Sequence, residues 1–187
     1  MNEGLIPARY AKALYKFALE KGADKGLYRL MGNLGKSFVD NPTLDTTVAN
    51  PFVADSDKTA LLTTAAAADA DTPAPVKQVL ADFLKLLCEN RRLPLAGAIA
   101  RAYCELYRKE NRIYRVKIVS AMPLDNEEEQ RLKKLISSHL GDASMEYTYS
   151  TDPDLIGGFT VDIDNERLDA SVKNELKQLR LKLLKQA

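Results

Sequence analysis

Tryptophan is absent, histidine occurs once, at His139, and cysteine only twice, at Cys88 and Cys104. Two thiols sixteen residues apart in helical surroundings form no disulfide framework, so a reducing, cytosolic setting is expected. A single imidazole with no Cys or His at ligand spacing predicts no zinc site. Any Ser-His-Asp or Cys-His relay would rest on His139 alone, and nothing in the sequence points to a nucleophile near it. His139 is expected at a helix end, where a cation is mildly favourable. The chain also lacks any run of ~18 apolar residues, the length a membrane span needs. Residues 1–14 contain no basic stretch followed by an apolar one and no Arg/Ser-rich pattern, which predicts neither a secretory signal nor a transit segment. Charge of one sign is missing too. With 27 basic and 26 acidic side chains the formal net charge is +1. The basic residues are scattered, apart from small clusters at Arg91–Arg92 and near the C-terminus. A duplex-binding domain concentrates them on one face, so nucleic acid is not an expected partner.

What is present is an ordinary globular balance, 45% hydrophobic and 28% charged, that favours a folded chain over a disordered one. The 187 residues allow one domain or two small ones. Up to about residue 109 the apolar period is helical. Pro7 to Lys21 reads as a first helix, with proline near its start and Gly22 after its end. Leu27, Leu30, Met31, Leu34 and Phe38 mark a second, broken at Asn41-Pro42. A short turn with Leu44 and Val48 precedes the break at Asn50-Pro51. Ser56 or Asp57 is placed to cap a fourth helix running through the alanines at 65–68 and ending by Asp71. Val76 to Asn90 and Leu93 to about Lys109 complete the set.

After Asn111 the period drops to two. Tyr114, Val116 and Ile118 alternate with Arg115 and Lys117 as a half-buried strand. Asp125 or Asn126 then caps a helix whose first turn carries Glu127, Glu128 and Glu129, where the dipole favours acids. Its apolar stripe is Leu132, Leu135, Ile136 and Leu140. Met145, Tyr147 and Tyr149 predict a second strand, and Phe159, Val161 and Ile163 a third. Asp169 is placed to cap a last helix striped by Val172, Leu176, Leu179 and Leu183. The fold class expected is α+β: a six-helix bundle over residues 1–109, then a small strand-helix-strand-strand-helix domain over 110–187. Three short strands make a small core, so the second domain is expected to be the more mobile.

Sequence strings with catalytic associations have simpler explanations. Gly35-Lys36-Ser37 resembles the end of a phosphate loop, but the glycine required five residues before it is replaced by Leu30, and the pattern there is helical. Gly157-Gly158 lacks the third glycine of a dinucleotide fingerprint and reads as a turn into the third strand. No cofactor, metal or catalytic residue is predicted.

The anomaly lies in how much of two helices is apolar. At about 100° per residue, Arg9, Lys12, Lys16 and Glu20 share one narrow stripe of the first helix. The rest is apolar: Ala8, Ala11, Tyr15, Ala18 and Leu19 on one half of the arc, and Tyr10, Ala13, Leu14 and Phe17 on the other. The fifth helix confines Gln78, Asp82, Lys85 and Glu89 to a similar stripe. A helix lying on a globular core needs an apolar stripe of little more than ~100°. Two arrangements satisfy the excess. Either both helices are central and buried nearly all round, or each buries one half and offers the other to a partner helix.

Six strings carry a family resemblance, in order and over the whole chain. They are Ala8-Arg9-Tyr10-Ala11-Lys12-Ala13-Leu14-Tyr15, Asn50-Pro51-Phe52, Phe83 to Leu93, Val119 to Leu124, Asp152 to Phe159 and Leu168 to Val172. Together they resemble the F-type ATP synthase delta subunit, or oligomycin-sensitivity-conferring protein, family. The resemblance implies a non-catalytic stator subunit whose bundle binds the alpha subunits of the catalytic head. Its C-terminal domain is implied to bind the peripheral-stalk b subunits, at the cytoplasmic face of a bacterial inner membrane and in contact with the membrane only through the complex. The groove that receives an alpha-subunit segment is carried over to Tyr10, Ala13, Leu14, Phe17, Leu86, Leu87 and Asn90. Many members have glycine where this chain has Arg91, a departure that bears on the turn after the fifth helix. An unrelated helical adaptor and a small phosphate-handling protein using Gly35-Lys36-Ser37 are the rival readings.

Overall fold

The computed structural model describes residues 5–67, 72–140, 143–164 and 166–186, without the side chains of residues 139, 140, 185 and 186. It is an α+β chain that divides into two compact units, Met1–Lys109 and Glu110–Ala187.

Six α-helices are described in the first unit: α1 (Leu5–Glu20), α2 (Asp24–Asp40), α3 (Thr43–Ala49), α4 (Asp55–Ala65), α5 (Ala74–Glu89) and α6 (Ala96–Glu110). A 3₁₀ turn at Leu93–Leu95 leads into α6. The segment around Leu44 and Val48, read as a short turn though needed as the third of six expected helices, is the seven-residue helix α3, and both residues are buried. α2 is the central element, packed against α1, α3, α4 and α5. Its Leu27, Leu30, Met31 and Leu34 are fully buried, which the 3–4 spacing dictates. The Gly35-Lys36-Ser37 string sits inside α2, where Lys36 is exposed and Ser37 Oγ donates to the Ala65 carbonyl at 2.9 Å. That hydroxyl satisfies one of the orphan carbonyls at the C-terminus of α4. Neither Ser56 nor Asp57 caps α4, because the helix begins one residue earlier, at Asp55, and Ala54 stands at the cap without a side-chain hydrogen bond. Asp55 and Asp57 instead act on its first turn as charges. α4 ends at Ala65, short of the expected run through the alanines at 65–68: Ala66 stands at its C-cap and Ala67 adopts φ 51°, a left-handed conformation that cannot continue a helix. Asp71 lies outside the described residues, as do the His139 and Leu140 side chains.

The second unit runs β1 (Ile113–Ser120), α7 (Asn126–Leu140), β2 (Ser144–Thr151), β3 (Gly158–Ile163), β4 (Glu166–Ser171) and α8 (Val172–Gln186). The sheet order is β2-β1-β3-β4, with β1 and β2 parallel across the α7 crossover and the other pairs antiparallel. In this register Ile118 stands opposite Tyr149 on one side and Val161 on the other. Val116, Ile118 and Val161 meet Leu132 and Ile136 of α7 in one small core. Asp125 is the α7 cap: its Oδ1 accepts from the Glu128 amide at 2.7 Å while Glu128 Oε2 accepts from the Asp125 amide at 3.1 Å. This reciprocal pair satisfies two donors the helix start would leave unmade.

β4 corrects the expected three-stranded domain. Its sequence, Glu166 to Ser171, has no β-branched or aromatic residue and pairs only with β3 at the sheet edge, so the alternation that betrays a half-buried strand is absent. Asp169 therefore lies in a strand and does not cap α8. The cap is Ser171, whose Oγ accepts from the Asn174 amide at 3.2 Å while donating to Asp169 Oδ1 at 2.6 Å. Gly158 opens β3 with φ 73°, and a β-carbon there would run into the Ala170 carbonyl of β4, so only glycine fits.

Candidate docking groove

The wide apolar face of α1 is only partly used in packing. Pro7, Ala11, Leu14 and Ala18, spaced four, three and four apart, are the buried stripe. Tyr10 and Phe17 are only half-buried and Ala13 is exposed, so α1 is not buried all round. α5 comes closer to full burial, covering Val76, Val79, Leu80, Phe83, Leu84 and Leu87. Leu86 breaks the pattern with 46% exposure.

These residual faces meet. Tyr10, Ala13, Leu14 and Phe17 of α1, with Asp82, Phe83 and Leu86 of α5, line a groove of about 300 Å³. Its walls are apolar except for Asp82 on the rim, which accepts from Gln78 Nε2 at 2.8 Å. Cations stand against two of its aromatic rings: Arg92 Cζ lies 5.3 Å from the Tyr10 ring centroid, and Lys21 Nζ 5.8 Å from that of Phe17. Arg92 Nη1 also donates to the Tyr10 hydroxyl at 3.1 Å.

Five of the seven carried-over residues thus share one concavity: Tyr10, Ala13, Leu14, Phe17 and Leu86. The other two do not line it. Leu87 is 0% exposed, because one residue of helical rotation from Leu86 turns its side chain into the buried stripe of α5. Asn90 stands at the C-cap of α5, its Nδ2 donating to the Leu86 carbonyl at 2.8 Å. Asp82 and Phe83 were missed, although their spacing of four and three residues before Leu86 places them on its face. Arg92 was missed because nothing local in sequence points it at α1.

The second unit exposes its own apolar surface. A cavity of about 460 Å³ runs between α7 and the β3–β4 side of the sheet, with Leu135 and Leu168 on its lining. α8 packs on β4 and the turn Pro153–Leu155, yet Leu176, Leu179, Leu183 and Leu184 are exposed. Among the described residues no group of three or more His, Cys, Asp or Glu is placed to hold a metal ion, and no helix is long and apolar enough to cross a membrane.

A helical unit with an open apolar groove, followed by a mixed-sheet unit with exposed leucines, defines a protein built to bind other chains. Residues 6–183 match the ATP synthase delta (OSCP) subunit family. The chain is 36% identical over 180 residues to the ATP synthase subunit delta of Bacteroides thetaiotaomicron, covering 96% of this chain and 94% of that one. It is 34% identical over 184 residues to its counterpart in Parabacteroides distasonis, covering 98% of each. The fold is shared with a chain of the Toxoplasma gondii mitochondrial ATP synthase hexamer, with a TM-score of 0.68 at 21% identity over 98% of both chains. The chain therefore belongs to the ATP synthase delta (OSCP) subunit family, and it is a structural stator subunit of that enzyme, not a catalytic one.

Proposed function

We propose that this subunit joins the alpha subunits of the catalytic head to the peripheral-stalk b subunits, so that the head stays still while the rotor turns and rotation is coupled to ATP synthesis. In this reading the first unit is a six-helix bundle seated on the head, and the α1–α5 groove receives an N-terminal helix of an alpha subunit. The second unit takes the C-terminal end of the stalk. The subunit works at the cytoplasmic face of a bacterial inner membrane, held there only through the complex.

The observation that supports head docking most directly is the groove itself. Tyr10, Phe17 and Leu86 keep apolar surface open on the two helices whose sequences have apolar faces wider than the core requires. An amphipathic helix laid into such a groove buries both its own apolar face and the groove's, the association that drives helix-in-groove recognition. The test is calorimetric titration of the full chain with a peptide from the N-terminus of the same organism's alpha subunit. Saturable binding, weakened by more than ~1 kcal/mol in both Tyr10→Ala and Leu86→Ala, is the expected result. Binding that neither substitution touches would move the site elsewhere. No binding by the intact chain would overturn the reading.

A further inference from the structure

We infer that Arg92 is a positioning residue for the α1–α5 groove: it holds the Tyr10 ring in place as part of the wall without lining the groove itself. The inference rests on the docking role proposed for that groove. Tyr10 belongs to α1 and Arg92 lies 82 residues later, beyond the end of α5. The guanidinium both donates to the Tyr10 hydroxyl at 3.1 Å and lies 5.3 Å from the ring centroid, so it engages the ring and its polar tip together.

The base from which Arg92 reaches is itself fixed. Arg91 adopts φ 55°, and this left-handed turn folds two amides back onto α5. The Arg91 amide donates to the Cys88 carbonyl at 2.9 Å and the Arg92 amide to the Leu87 carbonyl at 2.8 Å, the paired bonds of a Schellman cap. Leu87 is fully buried, so the backbone of Arg92 is tied to the core of the unit. Arg92 is half-buried and is not among the groove residues. A tyrosine on an exposed helix face samples several rotamers, and a ligand must then order it on binding. A ring already held in place removes that cost, which is how preorganisation raises affinity.

The test uses the full chain and the alpha-subunit N-terminal peptide, titrated against wild type, Arg92→Ala, Arg92→Lys, Tyr10→Ala and the Tyr10→Ala/Arg92→Ala double variant. Arg92→Ala is expected to weaken binding by about three- to tenfold, the equivalent of ordering one side chain. Arg92→Lys, which keeps the cation but loses the planar fork, should recover part of the loss. In the Tyr10→Ala background, Arg92→Ala should change nothing further. The same loss in both backgrounds would show that Arg92 acts on the peptide or on the whole unit and would overturn the inference, as would no loss in either. A second arm needs no ligand: ¹³C relaxation of the Tyr10 ring in the free chain should report a more mobile ring in Arg92→Ala. Unchanged ring relaxation overturns the positioning role even if peptide binding fails. A wild-type chain that binds no peptide, with Tyr10 mobilised by Arg92→Ala, would instead retain the positioning contact and reject the docking role.

Discussion

Gly22 and Arg91 occupy equivalent places in two copies of one turn. Gly22, past the end of α1, has φ 61°, and Arg91, past the end of α5, has φ 55°. Each donates its amide back to the residue three before it, Leu19 and Cys88, and in each case the next amide reaches five residues back, to Ala18 and Leu87. The two helices that form the groove are thus ended by the same Schellman cap, once with the residue suited to it and once without. A side chain in the left-handed region costs roughly 1–2 kcal/mol relative to glycine. Arg91→Gly is accordingly expected to stabilise the chain by about 1 kcal/mol in urea denaturation, the gain being reduced by the freer unfolded chain. Gly22→Ala should destabilise by about 1 kcal/mol, through backbone strain alone, since a β-carbon there meets nothing within 4 Å. An unchanged midpoint for Arg91→Gly would mean that the arginine side chain offsets its own strain.

Leu86 and Leu87 should separate binding from folding. They are neighbours in sequence, yet one is 46% exposed on the groove and the other is 0% exposed. Leu87→Ala empties a packed site and should destabilise by about 2–5 kcal/mol. Leu86→Ala should stay within ~0.5 kcal/mol of wild type in stability, because its side chain is partly in water already. The order reverses for affinity to the alpha-subunit peptide, measured on folded protein: Leu86→Ala is the variant expected to weaken it by more than ~1 kcal/mol. Equal stability losses for the two would contradict the placement of their side chains.

How much of this was legible in sequence follows from where the information is local. The helical periods of α1, α2 and α5 and the alternation in β1 and β3 are set by neighbours three, four or two residues away, and they were readable. β4 was not, because an edge strand of Glu166, Arg167, Leu168, Asp169, Ala170 and Ser171 takes its order from β3, not from its own pattern. The tyrosine cluster was likewise hidden. Tyr15 of α1 meets Tyr103 and Tyr107 of α6 edge-on at 6.2 and 6.1 Å, and Tyr28 of α2 stacks on Tyr107 at 4.3 Å, contacts that join residues far apart in sequence. Of the half of the α1 arc that does not line the groove, the cluster engages Tyr15, while Leu19 on the same half stays 49% exposed. For the groove, the resemblance supplied the helices, but only packing separates Leu86 from Leu87 or brings Arg92 to Tyr10.

The cap of α8 should carry a pH signature. Asp169 accepts from both the hydroxyl and the amide of Ser171, at 2.6 and 3.0 Å, and these bonds to its charged form hold its carboxyl below the usual range. A depressed folded-state pKa contributes stability that is present above the unfolded carboxylate pKa, near ~4, and is lost as pH falls through the folded value. Asp169→Asn should therefore lower the stability of residues 110–187 at neutral pH, and the gap from wild type should close below about pH 4. Ser171→Ala, which removes the cap itself, should cost about 1 kcal/mol. A gap between wild type and Asp169→Asn that stays constant from pH 7 to pH 3 would contradict the linkage.

The two units should also differ in how readily they open. The core of the second consists of Val116, Ile118, Leu132, Ile136 and Val161, with partly buried neighbours, and the outermost strand β4 is almost wholly exposed. The first unit fully buries side chains on α2, α4, α5 and α6, including Leu30, Leu62, Leu84 and Ile99, so opening it exposes far more apolar surface. Local opening free energy follows the apolar area exposed, so amides of β4 and α8 should exchange with solvent sooner than those of α2 and α5. Native-state hydrogen exchange on the free chain measures this directly. The exposed leucines of α8 lead to a second expectation: addition of a peptide from the C-terminal end of the b subunit should slow exchange in α8 more than in α2. Protection in α8 equal to that in α2 without any partner would mean the second unit is already as well held as the first.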